Sequence, residues 1–372
     1  MKLFKPLLKN KKTFLPMFFI LLITHRVRMV VCAHQTTVFF FLQLKQGVEP
    51  FVVKKRRAEN MKKKIIAAWL MVIALVLLPS TVFSWGSATH AYLDDHIGKR
   101  EELRNLNEIY GGMANDIFNY MFNYPAYMGY LYYQTHNEFL RVWSDARTRQ
   151  GKSLAYGFVS HNDVWGADFT AHHSGLTFGQ DEGYIIAKAK ILKSILELVP
   201  EYQALQLPEP VAMEVAHNLV ESGVDLLIKR RAPLIGLKVA ASAILRSPEL
   251  PFFLVKAYAE DFSDYADISY LEAVKIITST EMEFRKRMIL YGQSLMQNEA
   301  AAIQLISEDW AELAIVFFAM YGIILPEGTD LIPLIKFGIL QAMVICANDF
   351  DNEVEATINF VNQQLLLNGI IY

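Results

Sequence analysis

The chain of 372 residues is 53% hydrophobic and 20% charged, too apolar for a disordered polypeptide. Its two cysteines exclude a disulfide scaffold, a cysteine-based zinc knuckle and a CxxC redox site. Residues 1–84 carry 15 of the 36 Lys and Arg but two of the 38 acidic residues, so the remaining 288 hold a formal charge of −15. A body that acidic repels polyanions unless bound metal offsets the charge.

Residues 61–84 read as a secretory signal peptide. Met61 precedes Lys62, Lys63 and Lys64. Ile65–Leu78 is an apolar run, and Val82 and Ser84 fit the small-residue cleavage positions. Cleavage there makes Trp85 the mature N-terminus, with export to a periplasm or the extracellular space. Residues 1–60 then read as an upstream start called in error. Arg56-Arg57 can be encoded as a ribosome-binding sequence, with three codons before Met61. Of the two cysteines, Cys346 lies in the mature part, which therefore has no internal disulfide.

The mature chain reads as all-α. Apolar residues recur at spacings of three and four over Tyr184–Leu198, Val211–Lys229, Tyr270–Met296 and Asn298–Tyr321, and strand signals are sparse. Breaks are expected at Gly111-Gly112, Gly151, Gly175–Gly183, Pro200–Pro210, Ser247–Pro251 and Pro326–Asp330. The chemistry-bearing residues divide the chain into 85–225 and a helical C-terminal region, 226–372. Within the latter, Ala311–Leu325 and Leu331–Cys346 flank PEGTD as an apolar helical hairpin, read as buried in the core, with membrane contact as the alternative.

All seven histidines of the mature chain lie in its first half: His90, His96, His136, His161, His172, His173 and His217. If SHNDVWGADFTAHHS, 160–174, is one helix, Asp168 and His172 each fall within about 20° of His161. Asp163 then lies roughly opposite and His173 about 120° away, which favours Asp168 over Asp163 and His172 over His173. His217 and Glu221 are four apart on a strongly helical segment, one imidazole and one carboxylate suited to zinc. Asp116 and His136 sit among apolar and aromatic neighbours, where a buried charge needs a partner or a metal. A free Trp85 N-terminus could chelate through its amino nitrogen and carbonyl oxygen, with His90 as a further ligand.

The ordered set Trp85, His90, Asp116, His136, His161, Asp168, His172, His217 and Glu221 resembles the zinc-dependent phospholipase C family, which shares its fold with fungal single-strand nucleases. The resemblance covers about 85–225. It implies an all-α fold holding three zinc ions. Asp116, His136, His161 and Asp168 would hold the first, and His172, His217 and Glu221 the second. Trp85 and His90 would hold the third, with Asp168 bridging. One spacing departs from the family: four residues after the central His stands Trp165.

The expected activity is phosphodiester hydrolysis at a phospholipid headgroup. Zinc lowers the pKa of a bound water toward about 7 to give hydroxide, and Asp116 is a ligand and candidate proton acceptor. The alternatives are a single-strand nuclease, phospholipase D-type cleavage, and a non-enzymatic secreted metal-binding protein. The acidic body and the lack of a basic, aromatic-interleaved stripe disfavour nucleic acid.

Overall fold

A computed structural model describes residues 85–98, 102–177, 182–326 and 328–372. The expected upstream extension and signal peptide lie outside the described residues. Every regular element among the described residues is helical, and the fold is all-α. In chain order the helices are α1 Ser87–Ile97, α2 Glu102–Met113, α3 Pro125–Asn137, α4 Leu140–Asp145, α5 Arg149–His161, α6 Ala167–His172, α7 Tyr184–Leu196 and α8 Pro200–Gln203. They continue with α9 Glu209–Arg231, α10 Ile235–Leu245, α11 Leu250–Ala266, α12 Tyr270–Leu295, α13 Glu299–Met320, α14 Ile332–Cys346 and α15 Phe350–Leu367. A 3-10 segment, Ala114–Tyr120, follows α2 directly.

Local chemistry sets many of the helix ends. Ser269 accepts from Glu272 N at the start of α12, and Asn298 from Ala301 N at the start of α13. Prolines enter the first turns of α3, α8, α9, α11 and α14, where a missing N–H costs nothing. After α13, Gly322 at φ 72° turns the chain while its N–H donates to Ala319 O, 3.0 Å.

Helix α9 is the centre of the molecule. It is buried from Val211 to Ile228 on nearly every face, so it lacks the polar stripe of a surface helix. Helices α7 and α14 pack along it, and α1 crosses it. The division expected at 225/226 therefore falls inside α9. The described residues, which begin at 85, form one compact unit, in which both sides of that position bury the same helix.

Two expectations about breaks are corrected. Gly111 and Gly112 lie inside α2 rather than ending it. Gly111 is small because α5 passes against it, and Gly112 because Asp94 of α1 fills the space a side chain would need. A Cβ on Gly111 would fall 2.1 Å from Leu154 O, and one on Gly157 would fall 1.9 Å from Glu108 O. Residues 160–174 are likewise not one helix. Helix α5 ends at His161, and Asn162 Oδ1 accepts from Val164 N (2.9 Å) and Trp165 N (2.8 Å). This Asx-type turn outcompetes helix continuation, and the chain re-enters helix only after Gly166.

The hairpin 311–346 forms from the end of α13 and from α14, and is only half buried. Leu313, Phe318, Ile335 and Ile339 face inward, whereas Ile315 and Val344 face out. No single described helix is long and apolar enough to cross a membrane.

Candidate metal centre

Six elements deliver the donor side chains. Helix α1 carries His90, the 3-10 segment Asp116, and α3 His136. Helix α5 ends on His161, α6 presents Asp168 and His172 one turn apart, and α9 presents His217 and Glu221 one turn apart. All eight side chains are buried. Three groups of donor atoms lie within 4.8 Å of one another: His90, His161 and Asp168; Asp116, His136 and His161; and His172, His217 and Glu221. Asp163, Asp168 and His172 form a fourth. The groups share His161, Asp168 and His172, so they make one contiguous centre.

The orientation of two imidazoles is fixed by backbone carbonyls. His161 Nδ1 lies 2.6 Å from Gly112 O and His136 Nδ1 2.8 Å from Tyr132 O. A carbonyl only accepts, so both Nδ1 atoms donate and both Nε2 atoms are turned to the centre. Those two Nε2 atoms are 3.2 Å apart. Carboxylates flank them: Asp168 Oδ2 at 3.5 Å and Asp116 Oδ1 at 3.6 Å from His136 Nε2, each 3.9 Å from His161 Nε2. Two facing ring nitrogens between two carboxylates form a donor set that a cation among them would satisfy. Carbonyl-anchored histidines with this geometry are typical metal ligands.

The third group carries a second sign of the same need. His217 Nε2 and Glu221 Oε1 approach to 3.0 Å, yet neither has a hydrogen bond of proper geometry, and both are shielded from solvent. Burial and the nearby His172 hold the His217 pKa well below its ordinary value. The ring is therefore neutral at neutral pH, and the close contact is not an ion pair. Burial, then neighbouring Asp116 and Asp225, push the Glu221 carboxyl well up. Burial also depresses His90, and lowers His161 to about 4. The donor set of buried imidazoles and carboxylates fits a divalent cation with nitrogen and oxygen ligands.

The paired alternatives differ in burial and position. Asp168 is fully buried at the junction of the groups, with its Oδ2 also 3.6 Å from His172 Nδ1. Asp163 lies at the edge, 3.7 Å from His172 Nδ1, and accepts from His173 Nε2 at 2.9 Å. The His173 side chain is half exposed and stays outside the centre. His96 is also outside, its Nδ1 2.7 Å from Tyr92 O. Trp85 is buried. Its indole Nε1 donates to Thr170 Oγ1 at 3.1 Å and its ring stacks on Tyr184, so the side chain anchors the residue and is not itself a donor to the centre.

Beside the centre opens a cleft of about 650 Å3, with Trp85, Asp116 and Glu221 on its wall. Asp225, Asp309, Arg287 and Trp310 also line it. Arg287 is held by Asp309 (2.6 Å) and Glu283 (3.1 Å).

The chain matches no protein-family model, no curated protein and no solved structure.

Several residues that build the site escape a search for ligand types. Tyr132 stacks on His136 at 3.7 Å and directs its hydroxyl at Asp168 Oδ2, 3.5 Å. Thr135 Oγ1 donates to Asn115 O at 2.8 Å, tying α3 to the segment that carries Asp116. Asn119 Nδ2 donates to Asp116 Oδ1 at 3.0 Å and aims that carboxylate. Asp225 continues the series His217, Glu221 by one more turn of α9 and caps α1. Its spacing was a readable signal. The contacts of Tyr132 and Thr135 were not, because they depend on where α3 lands.

Proposed function

We propose that the protein is an exported, zinc-dependent phosphodiester hydrolase of the phospholipase C kind, acting on a phospholipid headgroup ester. The facing Nε2 atoms of His136 and His161, 3.2 Å apart between Asp116 and Asp168, carry this reading. They adjoin a second donor group through Asp168 and His172, as a multi-cation centre requires.

On this reading His136, His161, Asp116 and Asp168 hold one cation and His172, His217 and Glu221 another. His90 and the Trp85 main chain, shared with Asp168, hold a third. Bound divalent cations supply Lewis acidity and water activation for in-line displacement at phosphorus. The chain's own residues do the rest. Gly112 O and Tyr132 O keep the two imidazoles in the ligating tautomer. Asn119 orients Asp116, which stands on the wall of the cleft and is the carboxylate placed to take up a proton. Buried α9 and α5 keep water from the far side of the centre, so charge there is felt strongly. The cleft's carboxylates disfavour a polyanionic strand, which leaves the nuclease reading behind.

The test is zinc per chain on exported protein with its N-terminus sequenced, followed by turnover of phosphatidylcholine and single-stranded DNA. About three zincs and release of phosphocholine are expected on this reading. Release of choline would mean cleavage on the other side of phosphorus. Protein that takes up no zinc and cleaves neither substrate overturns the proposal.

A further inference from the structure

A second hollow, of about 880 Å3, runs between α9 and the α13–α14 hairpin. Its wall is almost wholly apolar, with Leu219 of α9, Ala314, Phe317 and Phe318 of α13, and Leu334 of α14. The hollow is not an isolated void. Asn119, Tyr120, Asn218, Trp310 and Leu313 line both this groove and the polar cleft beside the metal centre. The Trp310 indole stands at the boundary, with Nε1 donating to Ser222 Oγ of the polar cleft at 2.9 Å.

Polarity therefore changes from one hollow to the next across these shared residues. At one end are Asp116 and Glu221 of the centre; at the other is hydrocarbon. Asn119 and Asn218 mark the transition, and their amide nitrogens are spent on Asp116 Oδ1 and Glu214 O. Tyr202, deeper in, donates to Ala212 O. The amide oxygens of Asn119 and Asn218 have no protein partner and stand where the groove meets the polar cleft; beyond them a peptide would bury backbone N–H and C=O groups against an almost wholly apolar wall, at a cost for each unpaired group. A hydrocarbon chain has no such demand. The same hairpin also exposes Ile315, Val316 and Ile324, the last 90% exposed.

We infer that the groove between α9 and the α13–α14 hairpin holds one acyl chain of a lipid phosphoester whose phosphate lies at the metal centre. This rests on the phosphodiesterase reading for the phosphate end and on the groove itself for the chain. The C-terminal hairpin then selects the substrate: it measures the hydrocarbon, while α1, α3, α5, α6 and α9 hold the reacting end.

The test uses zinc-loaded protein and three probes: a fluorescent long-chain fatty acid that has no phosphate, a soluble phosphocholine ester series of increasing acyl length, and bis(nitrophenyl) phosphate, which has no acyl chain. The fatty acid should bind saturably. In the ester series KM should fall by up to about four-fold per methylene until the groove is full. Ala314→Phe and Leu334→Phe, which fill the groove from separate helices, should weaken fatty-acid binding about ten-fold or more, the effect of losing two methylenes' worth of burial. They should also flatten the chain-length series and leave turnover of the chain-free diester intact. The wild-type titration and series need no variant to fold. If the chain-free diester is cleaved but KM ignores chain length, the acyl site is wrong and the hydrolase reading stands. If no diester is cleaved yet the fatty acid binds and both variants block it, the hydrolase reading fails and the acyl site stands. No fatty-acid binding to wild-type protein, including the case of a dimer that covers the groove, overturns the inference.

Discussion

Asp225 on α9 holds Thr89 on α1 across 136 residues of sequence: its Oδ1 accepts from Thr89 N at 2.7 Å and from Thr89 Oγ1 at 2.6 Å. The other oxygen accepts from Ala88 N (2.9 Å) and Tyr291 OH (2.7 Å). A carboxylate from a distant helix thus caps the N-terminus of α1, where first-turn N–H groups lack intrahelical partners. The residue after Thr89 is His90. The cap therefore sets the position of one member of the metal centre from the helix that carries two others.

Asp225→Ala should cost about 3 kcal/mol, because it leaves the Thr89 and Tyr291 hydroxyls buried without an acceptor. On the proposed three-cation reading, the cation assigned to His90 should be lost first. Urea denaturation and zinc per chain measure the two effects. A variant with wild-type stability and zinc content would show that α1 is positioned by its apolar contacts alone.

Asp168 and Asp163 predict opposite outcomes. Asp168→Asn should lower zinc content sharply, since Asp168 faces His136, His161 and His172 at 3.5–3.9 Å. Asp163→Asn should leave zinc content near wild type. Its effect should appear at His173, whose pKa is raised by its hydrogen bond to Asp163. Titration of the His173 ring by NMR should show that pKa fall in Asp163→Asn. Zinc loss with Asp163→Asn and none with Asp168→Asn would reverse the assignment.

Gly157→Ala tests the close approach of α5 to α2. The new Cβ would collide with Glu108 O on the backbone, which has no flexible end to move aside. Destabilisation of about 3 kcal/mol is expected from overpacking. The separation of α5 from α2 would weaken the bond from His161 Nδ1 to Gly112 O. A urea midpoint matching wild type would mean that the two helices shift apart at little cost.

In the metal-free protein the buried histidines should contribute a loss of stability in acid. Burial lowers His161 to about 4, below its ordinary 6.5. Above about pH 6.5 both folded and unfolded forms are neutral there and the term is constant. Below it the unfolded state takes up a proton that the folded state refuses, so stability falls until the pH reaches the folded pKa. For His161 alone this is about 2 kcal/mol by pH 5. His90 and His217, also depressed by burial, act in the same direction, whereas the buried carboxyls of Glu221, Asp94 and Asp225, raised by burial, act oppositely. The His161 term is therefore read directly: NMR titration of its ring in chelator-treated protein should show it neutral at about pH 5, and a ring titrating at its ordinary 6.5 would contradict this.

The sequence alone determined the helices and most of the donor chemistry. Apolar periodicity located α7, α9, α12 and α13 within a residue or two at most ends, because these helices bury a stripe or more of their surface. The i, i+4 spacing of His217 and Glu221 put them on one face of α9 whatever the rest of the fold did. Residues 160–174 show the limit of such reasoning. Asp168 and His172 do join His161, but not on one helix: the Asn162 turn breaks it, and the segments reconverge through packing. Gly111 and Gly112 looked like a break because glycine is a poor helix former, yet contact with α5 and with Asp94 of α1 outweighs that penalty. Only the tertiary structure brought Gly112 O to His161 and Asp225 to Thr89. It alone set the α13–α14 hairpin over α9 to make the groove. Those relationships join elements distant in the chain, and local spacing carries no information about which distant helix will arrive.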